Sequence, residues 1–151
     1  MNLTTGLISV EQTHLLRHAV LWPHLSKPEE CVLAEDNLLS SFHMGCFAGE
    51  DLVGIATLVS QPWNSLPGGP QMRLRAMATR PDLQGHNVGS VLMKSILDEL
   101  YSEKIRWVWC DARVTAIGFY RRVGWAVDSE IYEVAHVGQH QRAFLPIWGG
   151  V

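Results

Sequence analysis

The chain has 151 residues and a mass of 16.9 kDa, and its 47% hydrophobic and 18% charged residues are typical of a globular domain. A formal net charge of -3 and a pI of about 6.1 provide no basic surface for nucleic acid or an anionic membrane. No apolar run approaches the roughly 20 residues that span a bilayer, and the opening MNLTTGLISVEQ lacks the basic start and apolar stretch of a secretory signal.

The hydrophobic pattern predicts strands interleaved with helices. Apolar or alternating runs of strand length occur at residues 6–10, 41–48, 52–59, 71–79, 105–112, 125–134 and 142–148. Gly49, Glu50 and Asp51 join the second and third runs as a hairpin. Helical spacing occurs at residues 11–21, 89–100 and 115–124, and proline and glycine mark residues 61–70 as a loop. This order predicts one domain over residues 1–151, with a mixed α/β sheet covered on both faces.

Each predicted helix has an apolar face. In the first helix, this face contains Leu15, Leu16, Val20 and Leu21. In the second, it contains Val88, Val91, Leu92, Ile96 and Leu100. In the third, it contains Ala116, Phe119, Tyr120 and Val123. Arg121, Arg122 and Gly124 suit the C-terminal end of the third helix.

The stretch RPDLQGHNVGSVLM, residues 80–93, joins a strand that ends near Thr79 to a helix that begins near Val88. The first backbone N–H groups of a helix lack internal partners and attract anions. A Walker-type phosphate loop is excluded because no lysine follows Gly89, and the spacing from Gly85 to Gly89 does not match the dinucleotide fingerprint. These residues alone fit an anion-binding loop and a helix-capping turn without ligand equally well.

Within that stretch, QGHNVGS resembles the Q/R-x-x-G-x-G/A signature of the GNAT superfamily of acyl-CoA-dependent N-acetyltransferases. Gln84 stands at its first position, Asn87 where the first glycine is usual, and Gly89 at the second. MATRPDL resembles the end of the family's fourth strand, and AIGFYRRVGW resembles its later A-x-x-F-Y-x-x-x-G-F element, with Trp125 last. The similarity is strongest from Met72 to Trp125. It implies a GNAT-like mixed, mostly antiparallel sheet of about six to seven strands with helices on both faces.

Two positions depart from the family pattern. Asn87 replaces a glycine, and asparagine tolerates left-handed backbone angles, so we expect the loop to keep its shape. Arg113 stands where many relatives have an asparagine that assists the cofactor, and either Arg113 or the nearby Asp111 is a candidate for that contact.

The resemblance implies acetyl-CoA as co-substrate and assigns residues to its parts. The pantetheine arm is expected along the backbone of Met77, Ala78 and Thr79, as an added strand. Backbone N–H groups are expected to hold the pyrophosphate in the loop Gln84, Gly85, His86, Asn87, Val88, Gly89 and Ser90. The thioester would lie near Met77, where the fourth and fifth strands separate, with Phe119 and Tyr120 reaching in from the later helix. The N–H of Met77 would polarise the acetyl carbonyl.

The chemistry requires an acid for the leaving thiolate and a base for the amine. Tyr120 resembles the family's general acid, since a phenol with a pKa near ~10 is protonated at pH 7. A core aromatic is the alternative for Tyr120. The base is unassigned: water or one of the late side chains Glu130, Glu133, His136 and His140 is a candidate.

Other reactive side chains fit structural roles. His14 and His18 lie one helical turn apart, as do His136 and His140 if helical, but neither pair has further ligands at convincing spacing, so no metal is expected. Cys31, Cys46 and Cys110 are odd in number and widely spaced, which suits reduced thiols in a cytoplasm. Cys110 ends an apolar strand and is interpreted as core packing.

The hypothesis is therefore a cytoplasmic N-acetyltransferase that uses acetyl-CoA and a primary amine. The acceptor, whether a small molecule, a peptide N-terminus or a lysine, depends on segments 21–30 and 61–70, whose pattern does not identify it. Trp63 is compatible with an acceptor pocket or a dimer contact, and a homodimer is left open. The alternative from another class is a non-catalytic acyl-CoA-binding sensor or regulatory module of the same fold. No nucleic-acid or membrane partner is expected.

Overall fold

The computed structural model describes residues 1–149, in which seven strands form one sheet with the order β1-β2-β3-β4-β5-β7-β6. The strands are β1 (Leu3–Ile8), β2 (Phe42–Ala48), β3 (Asp51–Val59), β4 (Gln71–Thr79), β5 (Trp107–Arg113), β6 (Ala126–Val134) and β7 (Gly138–Pro146). Only β4 and β5 pair in parallel, and the other neighbours are antiparallel. The expected mixed, mostly antiparallel sheet is confirmed.

Helices cover both faces of the sheet, as predicted. They are α1 (Val10–Leu16), which continues as a π-helical segment (Arg17–Leu21), α2 (Val88–Ser102) and α3 (Ile117–Arg122), which follows a 3-10 turn (Val114–Ala116). Leu16 of α1 packs on Ile55 and Ala78 on one face, whereas α2 and α3 contribute to the larger core on the other. None of these helices is both long and apolar enough to cross a membrane, over the part of the chain described.

A capping box sets the start of α1. The Ser9 hydroxyl accepts the backbone N–H of Gln12 at 3.3 Å, and the Gln12 side chain accepts the N–H of Ser9 at 2.9 Å. This reciprocal pair satisfies two orphan donors of the first turn. The predicted first strand at residues 6–10 therefore ends earlier, at Ile8, and the helix begins at Val10.

The buried face of the first helix differs from the prediction. Leu15 is 73% exposed, whereas Thr13 and Arg17 are fully buried beside Leu16. The Arg17 guanidinium donates to both carboxylate oxygens of Asp36 at 2.8 Å, to the Thr57 hydroxyl at 2.8 Å and to the Cys31 carbonyl at 3.0 Å. The prediction that Leu15 lies on the buried face was wrong. Hydrophobic periodicity assigns apolar residues to that face, whereas Arg17 is buried there because distant segments provide its partners.

Helix α2 packs tightly on the sheet through the predicted face. Val88, Leu92, Ile96 and Leu100 are essentially inaccessible to solvent. Gly54 on β3 allows this approach, because a Cβ there would lie 2.7 Å from Cγ1 of Val88.

The last strand begins earlier than the sequence predicted, at Gly138 rather than Arg142. Residues 139–141 are polar, so their pattern does not indicate a strand. They nevertheless pair with β6 on one side and partly with β5 on the other, since β7 lies between the two. His140 therefore lies within a strand and not in a helix or a loop.

Candidate active site

Two irregularities in β4 open a cleft in the sheet. Strands β4 and β5 pair only from Gln71–Trp107 to Arg73–Trp109, and no pairing follows. On the other side of β4, the register with β3 shifts after Arg75, and Ala76 adopts a left-handed φ of 51°. A bulge of this kind leaves backbone groups outside the ladder and bends the strand. The strand separation predicted near Met77 is present.

The cleft has a volume of about 760 Å³ and collects residues from six parts of the chain. Its walls come from β4, β5, the loop before α2, α3, the π-helical segment and the β6–β7 hairpin. Of the site residues predicted from sequence, those on its lining are Met77, Ala78, Thr79, Gln84, Gly85, Asn87, Val88, Gly89, Ser90, Arg113, Phe119 and Tyr120. His86 is the exception, since it is exposed and its Nδ1 lies 3.2 Å from the Gln84 carbonyl oxygen.

The loop before α2 turns through two left-handed residues. Gly85 has a φ of 82°, and Asn87 has a φ of 66° with a ψ of 9°. The left-handed conformation expected for Asn87 is confirmed. No side chain caps the N-terminus of α2, and Val88, Gly89 and Ser90 of its first turn border the cleft. An uncapped helix start of this kind leaves backbone N–H groups available to an anion.

Gly89 also provides space for a neighbouring ring. A Cβ at this position would lie 3.1 Å from Cε1 of Phe119 and 3.3 Å from its Cζ. The small residue therefore allows α3 to bring Phe119 against the start of α2. The second aromatic residue of the motif, Tyr120, packs against Phe119 with ring centroids 5.3 Å apart at 75°.

Tyr120 is buried yet lies on the cleft wall. Its ring contacts Trp125 at a centroid distance of 5.0 Å, and its side chain is 7% exposed. Burial, with a smaller contribution from the adjacent Cys110, raises the pKa of Tyr120 well above its ordinary value. The phenol is therefore protonated at neutral pH. Burial also raises the pKa of the Cys110 thiol to about 12, which fits the packing role predicted for it.

A charged cluster around Asp111 lies across the opening from the loop. Its carboxylate accepts hydrogen bonds from Nη2 of Arg73 at 2.5 Å, from Nε of Arg142 at 3.1 Å and from the hydroxyl of Tyr132. Burial opposes the ionisation of Asp111, but the hydrogen bond from Tyr132 and the two guanidinium groups outweigh it and lower the pKa of this carboxyl. Asp111 is therefore a carboxylate with three committed donors.

Indole rings hold the two arginines of this cluster. The Arg73 guanidinium lies 5.0 Å from the Trp109 ring, and that of Arg142 lies 5.1 Å from both Trp109 and Trp63. Trp63 lines a smaller pocket of about 280 Å³. The other residues of that pocket are Ser65, Asp128, Glu130, Tyr132 and Arg142. Tyr132, which bonds to Asp111, lines both this pocket and the main cleft.

Arg113, at the end of β5, makes a hydrogen bond to the π-helical segment that follows α1. Its Nη2 donates to the carbonyl of Leu21, the last residue of the π-helical segment, at 3.0 Å. Val20, Leu21 and Trp22 form part of the cleft wall. The cofactor contact expected of Arg113 stays a prediction.

Sequence reasoning missed most of the Asp111 cluster. Arg73 and Arg75 alternate with apolar residues in β4, which was a weak signal of a polar wall. Tyr132 and Arg142 carried no signal, because they meet Asp111 only through the register of β5, β6 and β7. Within residues 1–149, no three His, Cys, Asp or Glu side chains form a group suited to a metal ion.

Comparison with known proteins gives matches over most of the chain. A family model described as the acetyltransferase (GNAT) family matches residues 8–125. An uncharacterized N-acetyltransferase of Bacillus subtilis (strain 168), YitI, is 36% identical over 133 residues, which cover 88% of this chain and 89% of that protein.

Solved structures share the fold at low sequence identity. A putative N-acetyltransferase from Lactobacillus plantarum superposes with a TM-score of 0.77 at 15% identity, covering 97% of this chain and 99% of that one. An aminoglycoside 6'-N-acetyltransferase complexed with coenzyme A superposes with a TM-score of 0.74 at 11% identity, covering 98% and 99%.

Proposed function

Because the chain belongs to the acetyltransferase (GNAT) family, and is therefore an acyltransferase, we propose that it transfers the acetyl group of acetyl-CoA to a primary amine. Enzymes of this family use an acyl-CoA and a second, acceptor substrate. One observation carries the proposal: the cleft between β4 and β5 has an uncapped helix start at one end and the buried phenol of Tyr120 on its wall.

The bulge in β4 supports a position for the pantetheine arm. Beyond Arg73, the edge of β4 that faces β5 has no strand partner. The backbone of Met77, Ala78 and Thr79 is therefore available to an amide-bearing chain, which would add to the edge as a short strand. The bulge at Ala76 reorients the peptide that follows, and the N–H of Met77 would then polarise the acetyl carbonyl.

The loop before α2 supports a position for the pyrophosphate. Gly85 and Asn87 curve the chain around the helix start, and no side chain competes for the N–H groups of Val88, Gly89 and Ser90. Two features favour a dianionic pyrophosphate there: the unpaired donors and the positive end of the dipole of a 15-residue helix.

Tyr120 would supply the proton that the leaving group requires. The amine nitrogen bonds to the carbonyl carbon, the carbon–sulfur bond breaks, and the thiolate sulfur takes the phenolic proton. The raised pKa of Tyr120, caused by its burial, keeps that proton available across the neutral range.

The polar wall around Asp111 would face the acceptor. It lies on the face of the sheet opposite α2 and α3, and it continues into the smaller pocket lined by Trp63 and Arg142. These residues, and not the loop before α2, would select the acceptor. They form a site with both charges and aromatic rings, which does not by itself distinguish a small amine from a peptide.

A screen with free thiol as the readout tests the proposal. The chain is incubated with acetyl-CoA and each of a peptide with a free N-terminus, a lysine peptide, an aminoglycoside and simple alkylamines, and CoA release is followed. We expect acetyl-CoA binding by calorimetry and amine-dependent thiol release with at least one class. Absence of acetyl-CoA binding would refute the proposal, and binding without turnover over the whole panel would favour a sensor.

A further inference from the structure

The acceptor amine must lose a proton, and the sequence left four late side chains as candidates for its base. Glu133 and His136 are exposed and lie outside the cleft lining, and Glu130 is exposed at the smaller pocket. His140 is 6% exposed and lies on the cleft wall. The structure therefore separates one candidate from the other three.

We propose that His140 is the general base of the reaction, through its Nε2 atom. This inference rests on the proposed function. Nδ1 of His140 lies 2.8 Å from the carbonyl oxygen of Gly138. Because a carbonyl oxygen only accepts, Nδ1 must carry the hydrogen, and the neutral ring keeps its lone pair on Nε2. Among the described residues, no hydrogen bond occupies Nε2.

The register of the sheet places His140 at the open end of the strand separation. His140 pairs with Arg113 of β5, which lies four residues beyond Trp109, the last β5 residue that pairs with β4. Met77 lies four residues beyond Arg73, the last paired residue of β4. The proposed base and the proposed carbonyl donor therefore border the same opening from its two sides.

The proposed base and acid approach this opening from opposite faces of the sheet. Side chains alternate along a strand, so Cys110 and Arg113 point to opposite faces. Cys110 contacts Tyr120 of α3, whereas Arg113 reaches the π-helical segment that follows α1. His140 is directly opposite Arg113 in the ladder and shares its face. A base on the amine side and an acid on the thiol side match a displacement at the carbonyl carbon.

Tyr132 fixes the position of the imidazole, and the neighbouring carboxylate of Asp111 is a poor alternative base. The Tyr132 ring stacks on His140 with centroids 6.1 Å apart and an angle of 29°. Asp111 is committed to two arginines and the Tyr132 hydroxyl, and its lowered pKa makes it a weak base. The charged and titratable groups that face or adjoin His140 on these strands are Arg113, Asp111, Tyr132 and Arg142.

The proton balance is complete with these groups. Nε2 of His140 takes one proton from the ammonium, so that the neutral amine forms the nitrogen–carbon bond. The carbon–sulfur bond breaks, and Tyr120 protonates the departing sulfur. The acylated nitrogen then loses its second surplus proton, which restores the Tyr120 phenol by way of solvent, and the imidazolium releases its proton to solvent before the next turnover.

The test compares His140→Gln and His140→Asn with the control His136→Gln, an exposed histidine of the same hairpin. Asparagine can still donate to the Gly138 carbonyl, but neither amide accepts a proton from an ammonium. With the best alkylamine of the panel at pH 7, we expect kcat/KM to fall by about 10²-fold in both variants, near the lower end for a positioned base. Acetyl-CoA affinity should be retained, so that the loss appears in the reaction with the amine and not in binding of the cofactor.

Hydroxylamine separates a chemical role from a structural one. This nucleophile is neutral at pH 7, so it needs no base before attack, and the His140 variants should use it nearly as well as the wild type. Equal losses with both nucleophiles, or a wild-type kcat/KM for the alkylamine in either variant, would overturn the assignment. A wild-type chain that binds no acetyl-CoA or acetylates no amine would instead refute the proposed function.

Discussion

Removing the negative charge of Asp36 while Arg17 remains should destabilise the fold by about 3–5 kcal/mol, the usual effect of leaving one buried charge unpaired. The Arg17 side chain is 0% exposed and that of Asp36 is 2% exposed, and two hydrogen bonds of 2.8 Å join them. Asp36→Asn preserves the shape of the side chain and leaves the guanidinium uncompensated. Since a domain unfolds with about 5–15 kcal/mol, this loss is a large fraction of the total.

The loss should lower the Tm by roughly 6–20 °C, because about 1 kcal/mol corresponds to 2–4 °C for a domain of about this size. Urea unfolding, followed by circular dichroism and by the fluorescence of the six tryptophans, would measure the loss of unfolding free energy. The double variant Arg17→Met/Asp36→Leu should be more stable than the sum of the single variants implies, since no unpaired charge remains. A loss under about 1 kcal/mol for Asp36→Asn, or strict additivity in the double variant, would refute the reasoning.

The same pair makes an acid-dependent contribution to stability. Burial alone raises the pKa of Asp36, but hydrogen bonds from Arg17 and the Leu33 N–H, and the charges of Arg17 and His43, hold it below its ordinary value. A carboxyl with a lowered folded pKa stabilises the fold above its unfolded pKa of about 3.9, and this contribution disappears as the pH falls through the folded pKa. In Asp36→Asn, this part of the acid-induced loss of stability should be missing from urea midpoints measured between pH 2 and pH 5.

Substitutions at three further positions test the cofactor and catalytic assignments. Gly89→Glu should abolish CoA binding in calorimetry, because a carboxylate would stand at the helix start where phosphates approach. Gly89→Ala should weaken CoA binding less, since its methyl group only crowds Phe119. Unchanged CoA affinity in a folded Gly89→Glu chain would refute the pyrophosphate assignment. Asn87→Gly should bind CoA at least as well as the wild type. Asn87→Val should lose about 1–2 kcal/mol of CoA-binding free energy, close to tenfold in Kd, because the φ of 66° at this position is costly for a branched residue. Equal CoA affinities of the Gly and Val variants would refute this backbone requirement. Tyr120→Phe should lower kcat by about 10²-fold with little change in acetyl-CoA affinity, and normal turnover with a lower Tm would identify Tyr120 as a core aromatic only.

Local patterns in the sequence were enough to predict most of the helices and strands and the loop at one end of the candidate site. The spacing of apolar residues correctly predicted α2 and its buried face, because a helix repeats every few residues along its own chain. The loop at residues 84–90 was recognisable because its glycines and Asn87 meet a backbone requirement within a few residues. The family motifs also lie within continuous stretches, so the predicted fold class needed no knowledge of distant contacts.

The other end of the site was decided by tertiary structure. Arg17 is buried because Asp36 and Thr57 come from separate segments, and the Asp111 cluster forms because sheet register brings Arg142 and Tyr132 beside it. The left-handed conformation of Ala76 could not be predicted, because the residue is neither glycine nor asparagine; the surrounding strands impose this conformation. The partners of these residues are far away in the chain, and a local pattern contains no information about which distant residues will meet.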